Sequence, residues 1–383
     1  MPQDEFKKQA DELSAVVADI FQINAIYQQN ENIIFALEYR FEKERSREAI
    51  KDRLNTAGYD FKLHDVSRPM AGVVESAGSK EQSDTLLLSI NPARSNKIPA
   101  LNLILFAATL FSVYFVPVFY KNWAINATIG QAYNETLQAL SAGAGLQFTV
   151  AMISILFVHE MGHFIAGRRR QIITSWPYFI PAPNIIGTFG AIIKSKSPFW
   201  NRRDLIEVGA AGPIAGWIVA IGWLVYGLSH SSIVSPEFAA NTGEMVFSLE
   251  GASILMRLAT LTLIGPVPDG QFYLLSEAAF AGWVGLLVTA INLLPIGQLD
   301  GGHILYGLFR SKQRYLAMAA MAALLALGFQ SPTWWFFAAF GLFFGINHPP
   351  TLNDERPISR AAMIMAITSL IIMALSFTPV PFQ

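Results

Sequence analysis

Apolar residues change their spacing near residue 97. Before it the periods are short: Phe6, Ala10, Leu13, Val17 and Ile20 recur as on one face of a helix, and Phe35, Leu37, Tyr39 and Phe41 alternate as on a half-buried strand. A charged helical run fills 42–57, and strand-like runs fill 61–66 and 85–90. Residues 67–84 carry turn formers and charge without a period and are expected to form a mobile loop. After residue 97 the apolar runs lengthen enough to cross a hydrocarbon layer of about 30 Å, which takes about 20 helical residues. Spans are expected near 98–120, 145–167, 205–228, 277–296, 315–330, 332–346 and 360–377. The fifth and sixth are short and fit a tight hairpin. The run 254–264 is too short to cross and is expected at the outer interface or packed on the bundle. The expected fold is a multi-pass α-helical membrane protein of about six to seven transmembrane helices, preceded by a small soluble α+β module at 1–97.

Composition agrees with that pattern. Of 383 residues, 52% are hydrophobic and only 14% charged, outside the usual soluble balance. The net charge of −1 supplies no general attraction for nucleic acid. The basic residues gather beside apolar runs, at Arg168, Arg169, Arg170, Lys194, Lys196, Arg202 and Arg203, at Arg310, Lys312 and Arg314, and at Arg356 and Arg360. The segments 120–144 and 229–277 are poor in Lys and Arg. The positive-inside rule then puts the N-terminal module and the basic loops in the cytoplasm and Gln383 outside. The acidic residues among the first lysines do not fit the n-region of a cleaved signal. Cysteine is absent, so a metal site must draw on His, Asp or Glu.

The stretch LFVHEMGHFIAG, 156–167, places His159, Glu160 and His163 inside the second span. The i,i+4 spacing puts both imidazoles on one helical face, close enough to share a zinc ion, and Glu160 is placed to act as a base on water held there. A third ligand is needed. Ionisable residues are costly inside spans, and INLLPIGQLDGGHI, 291–304, contains one at Asp300, followed by Gly301 and Gly302, which permit a bend and a close approach. Both segments run toward basic loops, so the three ligands share a depth. A zinc dication with ionised Asp300, ionised Glu160 and two neutral imidazoles sums to zero charge, which lowers the cost of holding the set in a low dielectric. His303 is an alternative ligand or a supporting partner, although a fourth protein ligand would close the position that hydrolysis needs. Asn292 either donates to a developing oxyanion or a substrate backbone, or makes an interhelical packing bond. Gly209, Ala210, Ala211, Gly212, Ala215 and Gly216 give the third span a small-residue surface suited to close packing on the histidine-bearing helix.

His159-Glu160-Met161-Gly162-His163 in one span, with Asn292-Leu293-Leu294-Pro295 leading to Leu299-Asp300-Gly301 in another, resembles the site-2 protease family of intramembrane zinc metalloproteases. The segment PYFIPAPNIIGTFGAIIKSKSPFWNRRDL and the ending LLPIGQLDGGH resemble its cyanobacterial and chloroplast branch most. The resemblance covers about 145–304. It implies His159, His163 and Asp300 as ligands of one Zn2+, Glu160 as catalytic acid/base, Asn292 as a substrate or oxyanion contact, and a transmembrane protease domain at 98–383. It also implies a single-pass transmembrane substrate, in a bacterial plasma membrane or a thylakoid-type one. Between 176 and 196 two apolar runs, 178–180 and 191–193, flank the breaks around Gly187, Thr188, Phe189 and Gly190. They suggest a re-entrant or interfacial hairpin dipping into the cytoplasmic interface. The edge formed by Gly187, Thr188, Phe189, Gly190, Ala191, Ile192 and Ile193 would hold an extended substrate, or else the hairpin only plugs the bundle. Intramembrane His, Glu and Asp also mark ion pathways, so a transporter is the rival class, and a helix-binding protein without catalysis is a third. Transporters commonly carry matched halves, and no internal repeat is visible here.

Overall fold

The computed structural model describes residues 3–381 except 30–31, 57–58, 67–84, 92–97, 127, 171, 173, 196–198, 200, 243–245 and 352–353. The expected loop at 67–84, together with Lys196 and Gln383, lies outside the described residues. The chain forms two compact units, one of residues 1–97 with 172–174 and 195–199, the other of the remainder.

The first unit contains α1 (Gln3–Val17), β1 (Phe21–Gln29), β2 (Asn32–Tyr39), α2 (Lys43–Thr56), β3 (Asp60–Val66) and β4 (Thr85–Asn91). Its sheet has the order β1-β2-β4-β3 with every neighbouring pair antiparallel. The alternating set Ile33, Phe35 and Leu37 of β2 and Leu86, Leu88 and Ile90 of β4 forms one core with Ala10, Leu13 and Val17 of α1 and Ile50 and Leu54 of α2. Period two on the strands and period 3.6 on the helices thus bring one face of each to this core, while β2 is buried on both faces, with Ile34 and Ala36 on the other side. Strand β1 was not legible in the pattern. A bulge between Ile23 and Ala25 shifts its register, so that Phe21, Ile23 and Ile26 face the core at unequal spacing. Phe41 lies beyond β2 and is exposed.

The second unit is a helical bundle. Its long apolar helices are α3 (Ala100–Ile125), α5 (Leu146–Arg169) and α6 (Arg202–Leu228), separated by α4 (Ile129–Ser141) and by the hairpin β5 (Tyr178–Pro181) and β6 (Thr188–Ile192). At a 1.5 Å rise each of the three exceeds about 35 Å, more than the hydrocarbon thickness. They make the chain a multi-pass α-helical membrane protein. There follow β7 (Ser232–Val234), α7 (Pro236–Thr242), β8 (Val246–Phe247), α8 (Ile254–Leu263) and β9 (Phe272–Leu274), whose strands form an antiparallel sheet of order β7-β9-β8. Then come α9 (Glu277–Asn292), α10 (Asp300–Phe309), α11 (Gln313–Leu327), α12 (Thr333–Phe344) and α13 (Arg360–Ser376).

Helices α5, α6 and α9 share a core of Met152, Ile155, Leu156, Ala220, Leu224, Ala281, Val284 and Leu287. Lipid tails are as apolar as these side chains, so close packing rather than water exclusion holds such helices together. Gly282 lets α9 approach α6 until an added Cβ would lie 2.6 Å from the Leu224 nitrogen. Helices α11 and α12 have 15 and 12 residues, about 22 and 18 Å long. They form the expected short helical pair.

Two expectations are corrected. The fourth apolar segment is not one helix to residue 296: α9 ends at Asn292, and Asp300 opens a separate helix. Pro295 cannot donate to a helical ladder, and Gly297 takes a left-handed φ of 52° in the turn between them. The β hairpin also differs. Thr188, Phe189 and Gly190 lie in β6 rather than in a break, and Ile193 falls outside it. Its first strand follows α3, where Asn102 donates to the carbonyls of Trp176 (3.0 Å) and Pro177 (2.8 Å), Ser112 to Ala182 (3.1 Å) and Tyr120 to Pro183 (3.0 Å). Asn102 and Tyr120 are about 27 Å apart along the helix, so the segment 176–183 accompanies most of α3.

Candidate metal centre

Helix α5 is preceded at its N-cap by Gly145, whose N–H, with that of Phe148, donates to the Glu277 carboxylate of α9 at 2.7 and 3.2 Å. An acidic group from a neighbouring helix thus satisfies free donors at the N-terminus. At the other end Arg170 pairs with Glu207 of α6, which also accepts from Arg203 at 2.9 Å. Between these ties the helices touch closely. A Cβ on Gly162 would lie 2.6 Å from the Ala211 carbonyl oxygen, one on Gly216 2.9 Å from His159 Cβ, and one on Gly212 would strike the His163 ring. The small-residue surface of α6 therefore makes room for the two imidazoles.

His159 and His163 project toward α6 from successive turns of α5, and α10 brings Asp300 to them. His159 Nε2 and His163 Nε2 are 3.1 Å apart, and Asp300 Oδ2 lies 3.4 and 3.3 Å from them. Among the described residues these three are the group that could hold a metal ion. His163 Nδ1 donates to the Val208 carbonyl at 2.8 Å, which leaves the lone pair of a neutral His163 on Nε2, facing the other donors. Converging lone pairs repel unless a cation lies among them.

The dimensions fit zinc. Tetrahedral bonds of about 2.0–2.1 Å imply donor separations of about 3.3–3.4 Å, close to the three observed. A point in the plane of the three donors lies about 1.9 Å from each of them, so the triangle has the size that would hold a zinc ion by three protein ligands. His159 and Glu160 are 5% and 4% exposed, so neither is solvated from bulk water. His163 lies seven residues before Arg170, about 10 Å from the basic end of the helix.

The other sequence candidates fall outside this triangle. Asn292 is the half-buried last residue of α9, separated from Asp300 by the turn. His303 is not among the grouped donors; its Nδ1 lies 2.6 Å from His348 Nε2. Strand β6 pairs with β5 on one side, in a sheet of two strands, and Phe189 and Ile192 on it are exposed. Sequence reasoning missed the Val208 carbonyl, which no side chain signals, and Glu277, whose signal was an acidic residue at the start of an apolar run.

A bundle of apolar helices enclosing two imidazoles and a carboxylate at zinc-like spacing defines a multi-pass membrane protein with a site able to hold a metal ion. Residues 147–330 match the model of peptidase family M50. The chain is 31% identical over 246 residues to "Probable zinc metalloprotease EGY1, chloroplastic" of Arabidopsis thaliana, and 30% identical over 245 residues to the protein of that name from Oryza sativa subsp. japonica. It is 28% identical over 245 residues to "Probable zinc metalloprotease EGY2, chloroplastic" of Arabidopsis thaliana. These alignments cover 62% of this chain and 43%, 41% and 42% of the relatives, so the chain spans less than half of their length. No solved structure matches. Residues 147–330 are therefore similar to peptidase family M50, and the chain is homologous to the chloroplast zinc metalloproteases of its site-2 protease branch.

Proposed function

We propose that the chain is a zinc-dependent endopeptidase that hydrolyses a peptide bond within or next to the transmembrane segment of a membrane protein. The observation that carries this reading is the triangle of buried His159 with half-buried His163 and Asp300, beside the buried Glu160 on the helix of the two histidines. Zinc, when bound, supplies Lewis-acid polarisation of the scissile carbonyl and a lowered pKa for water in the site. Glu160 takes a proton from the attacking water as its oxygen bonds to the carbonyl carbon, and passes it to the amine nitrogen as the C–N bond breaks. Asp300 neutralises half of the metal charge, and the Val208 carbonyl keeps His163 in the ligating tautomer. Asn292 donates to the oxyanion or to the substrate backbone.

A transmembrane helix hides its scissile bonds in its own hydrogen bonds, so it must be drawn out as an extended strand. The open edge of the hairpin from Gly187 to Ile193 is the surface for that pairing. The substrate is a single-pass protein, and one zinc serves each chain. Residues 1–97 act as a cytoplasmic module and residues 98–383 as the protease domain, with six to seven spans and the basic loops in the cytoplasm. The membrane is a bacterial plasma membrane or a thylakoid-type one.

Glu160→Gln tests the reading. It should keep its zinc while a single-pass fragment accumulates in the membrane proteome. A zinc-replete wild type that cuts no membrane substrate but moves an ion in vesicles would replace proteolysis by transport.

A further inference from the structure

Helix α10 starts at Asp300 after the irregular turn 293–299, has ten residues, and receives no side-chain cap from Leu299. The roll of so short a helix, and with it the direction of its first carboxylate, has to come from tertiary contacts. Packing on α6 supplies one side, where a Cβ on Gly209 would be 3.0 Å from His303 Cβ. The other contacts converge on the segment between α12 and α13. His303 Nδ1 meets His348 Nε2 at 2.6 Å, and the Tyr306 hydroxyl donates to Asp354 Oδ2 at 2.6 Å. Thr351 donates to the second oxygen of Asp354 at 2.5 Å. Arg202 of α6 donates to the carbonyls of Gly307 (3.1 Å), Asp354 (2.7 Å) and Arg356 (3.2 Å), and Arg310 forms two bonds to Glu355 at 3.0 and 3.2 Å. The same segment reaches the turn, where Gly297 N–H donates to the Ile346 carbonyl at 3.3 Å.

The bonded positions of α10 are 303, 306 and 307, an i, i+3, i+4 stripe with Arg310 just beyond the helix end, and Asp300 lies one turn earlier on that stripe. The bond between the two imidazoles has a direction. The Pro349 carbonyl, 2.6 Å from His348 Nδ1, can only accept, so neutral His348 carries its proton there and offers the Nε2 lone pair to His303 Nδ1–H. A roll of 20° about the α10 axis would move a carboxylate about 5 Å from that axis by about 1.7 Å. Zinc ligands tolerate about 0.2 Å.

We propose that the strap of residues 346–351 and 354–356 sets the roll of α10, with His303, Tyr306, His348 and Asp354 as positioning residues that aim Asp300 at the metal. This rests on the metalloprotease reading, so the test reads metal binding rather than cleavage. Full-length protein in detergent, stripped of metal, is titrated with Co2+ and followed by the visible absorption of a tetrahedral site. His348→Ala and Tyr306→Phe are expected to weaken cobalt binding about tenfold. His348→Gln, whose Oε1 can accept from His303, should recover most of the loss. Trp217→Phe removes an interhelical bond of 3.0 Å to Ser376, away from the strap, and should leave the affinity unchanged. A merely structural role would move all variants together through stability. Folded His348→Ala and Tyr306→Phe that bind cobalt like the wild type would overturn the inference alone; if His348→Ala does not fold, Tyr306→Phe decides. A wild type that takes up no cobalt would remove the metal centre and the inference together.

Discussion

Gly212 offers the sharpest test of how the metal centre is built. An alanine Cβ there would lie 2.6 Å from His163 Cε1 and nearer still to Nε2, while ordinary contact begins at 3.4 Å. Ring and backbone would have to part by about 1 Å, a shift that can cost about 100-fold in rate when it misplaces reacting groups. The ring has little freedom to yield. Its Nδ1 is held by the Val208 carbonyl at 2.8 Å, and α5 and α6 already touch at Gly162 and Ala211. Either the helices separate or His163 leaves the ligand triangle. Gly212→Ala is therefore expected to lose most of its zinc by elemental analysis, and about 100-fold in cleavage of a single-pass reporter in proteoliposomes. Gly222, on the same helix, has open space within 4 Å of where an added Cβ would lie. Gly222→Ala should keep full zinc and gain up to about 1 kcal/mol of stability. A Gly212→Ala protein with full zinc and wild-type cleavage would refute the packing account.

Three further outcomes follow from other contacts. Glu277→Leu leaves the N–H groups of Gly145 and Phe148 without their acceptor, and should lower stability by about 2 kcal/mol in chemical unfolding; an unchanged midpoint would show that water replaces the cap. Asn102→Ala frees β5 from the start of α3, and should slow reporter cleavage while zinc content stays at the wild-type level. Burial pushes the His348 imidazole down from 6.5 to about 4. A histidine whose folded pKa is depressed contributes its stability above its unfolded pKa and loses it as pH falls toward the folded one. The thermal midpoint should therefore drop between pH 6.5 and 4, and His348→Gln should flatten that slope.

Much of the architecture was legible because the signals are local. The apolar runs at Ala100–Ile125, Leu146–Arg169 and Arg202–Leu228 exceed the bilayer thickness on length alone. Alternation at Phe35 and Leu37 exposed β2, whereas the bulge in β1 erased the same signal a few residues earlier. The break between α9 and α10 was hidden because Leu293, Leu294 and Ile296 keep the hydropathy of a span while Pro295 and Gly297 end its helix. The course of the hairpin along α3 depends on Asn102, Ser112 and Tyr120 finding carbonyls more than sixty residues away, and no sequence period encodes that.

The sequence by itself determined the donors. The interval from His159 to His163 is one helical turn, so any helix containing it presents two imidazoles together, and the absence of cysteine left a carboxylate or another histidine to join them. Only the tertiary structure decided how Asp300, which the sequence already favoured over His303, comes to lie beside the imidazoles. They lie three residues apart on one side of α10, and which of them meets the imidazoles depends on the roll of that helix. That roll is set by bonds to α6 and to His348 and Asp354, distant in the chain, because a ten-residue helix after an irregular turn carries no local instruction about the direction it faces.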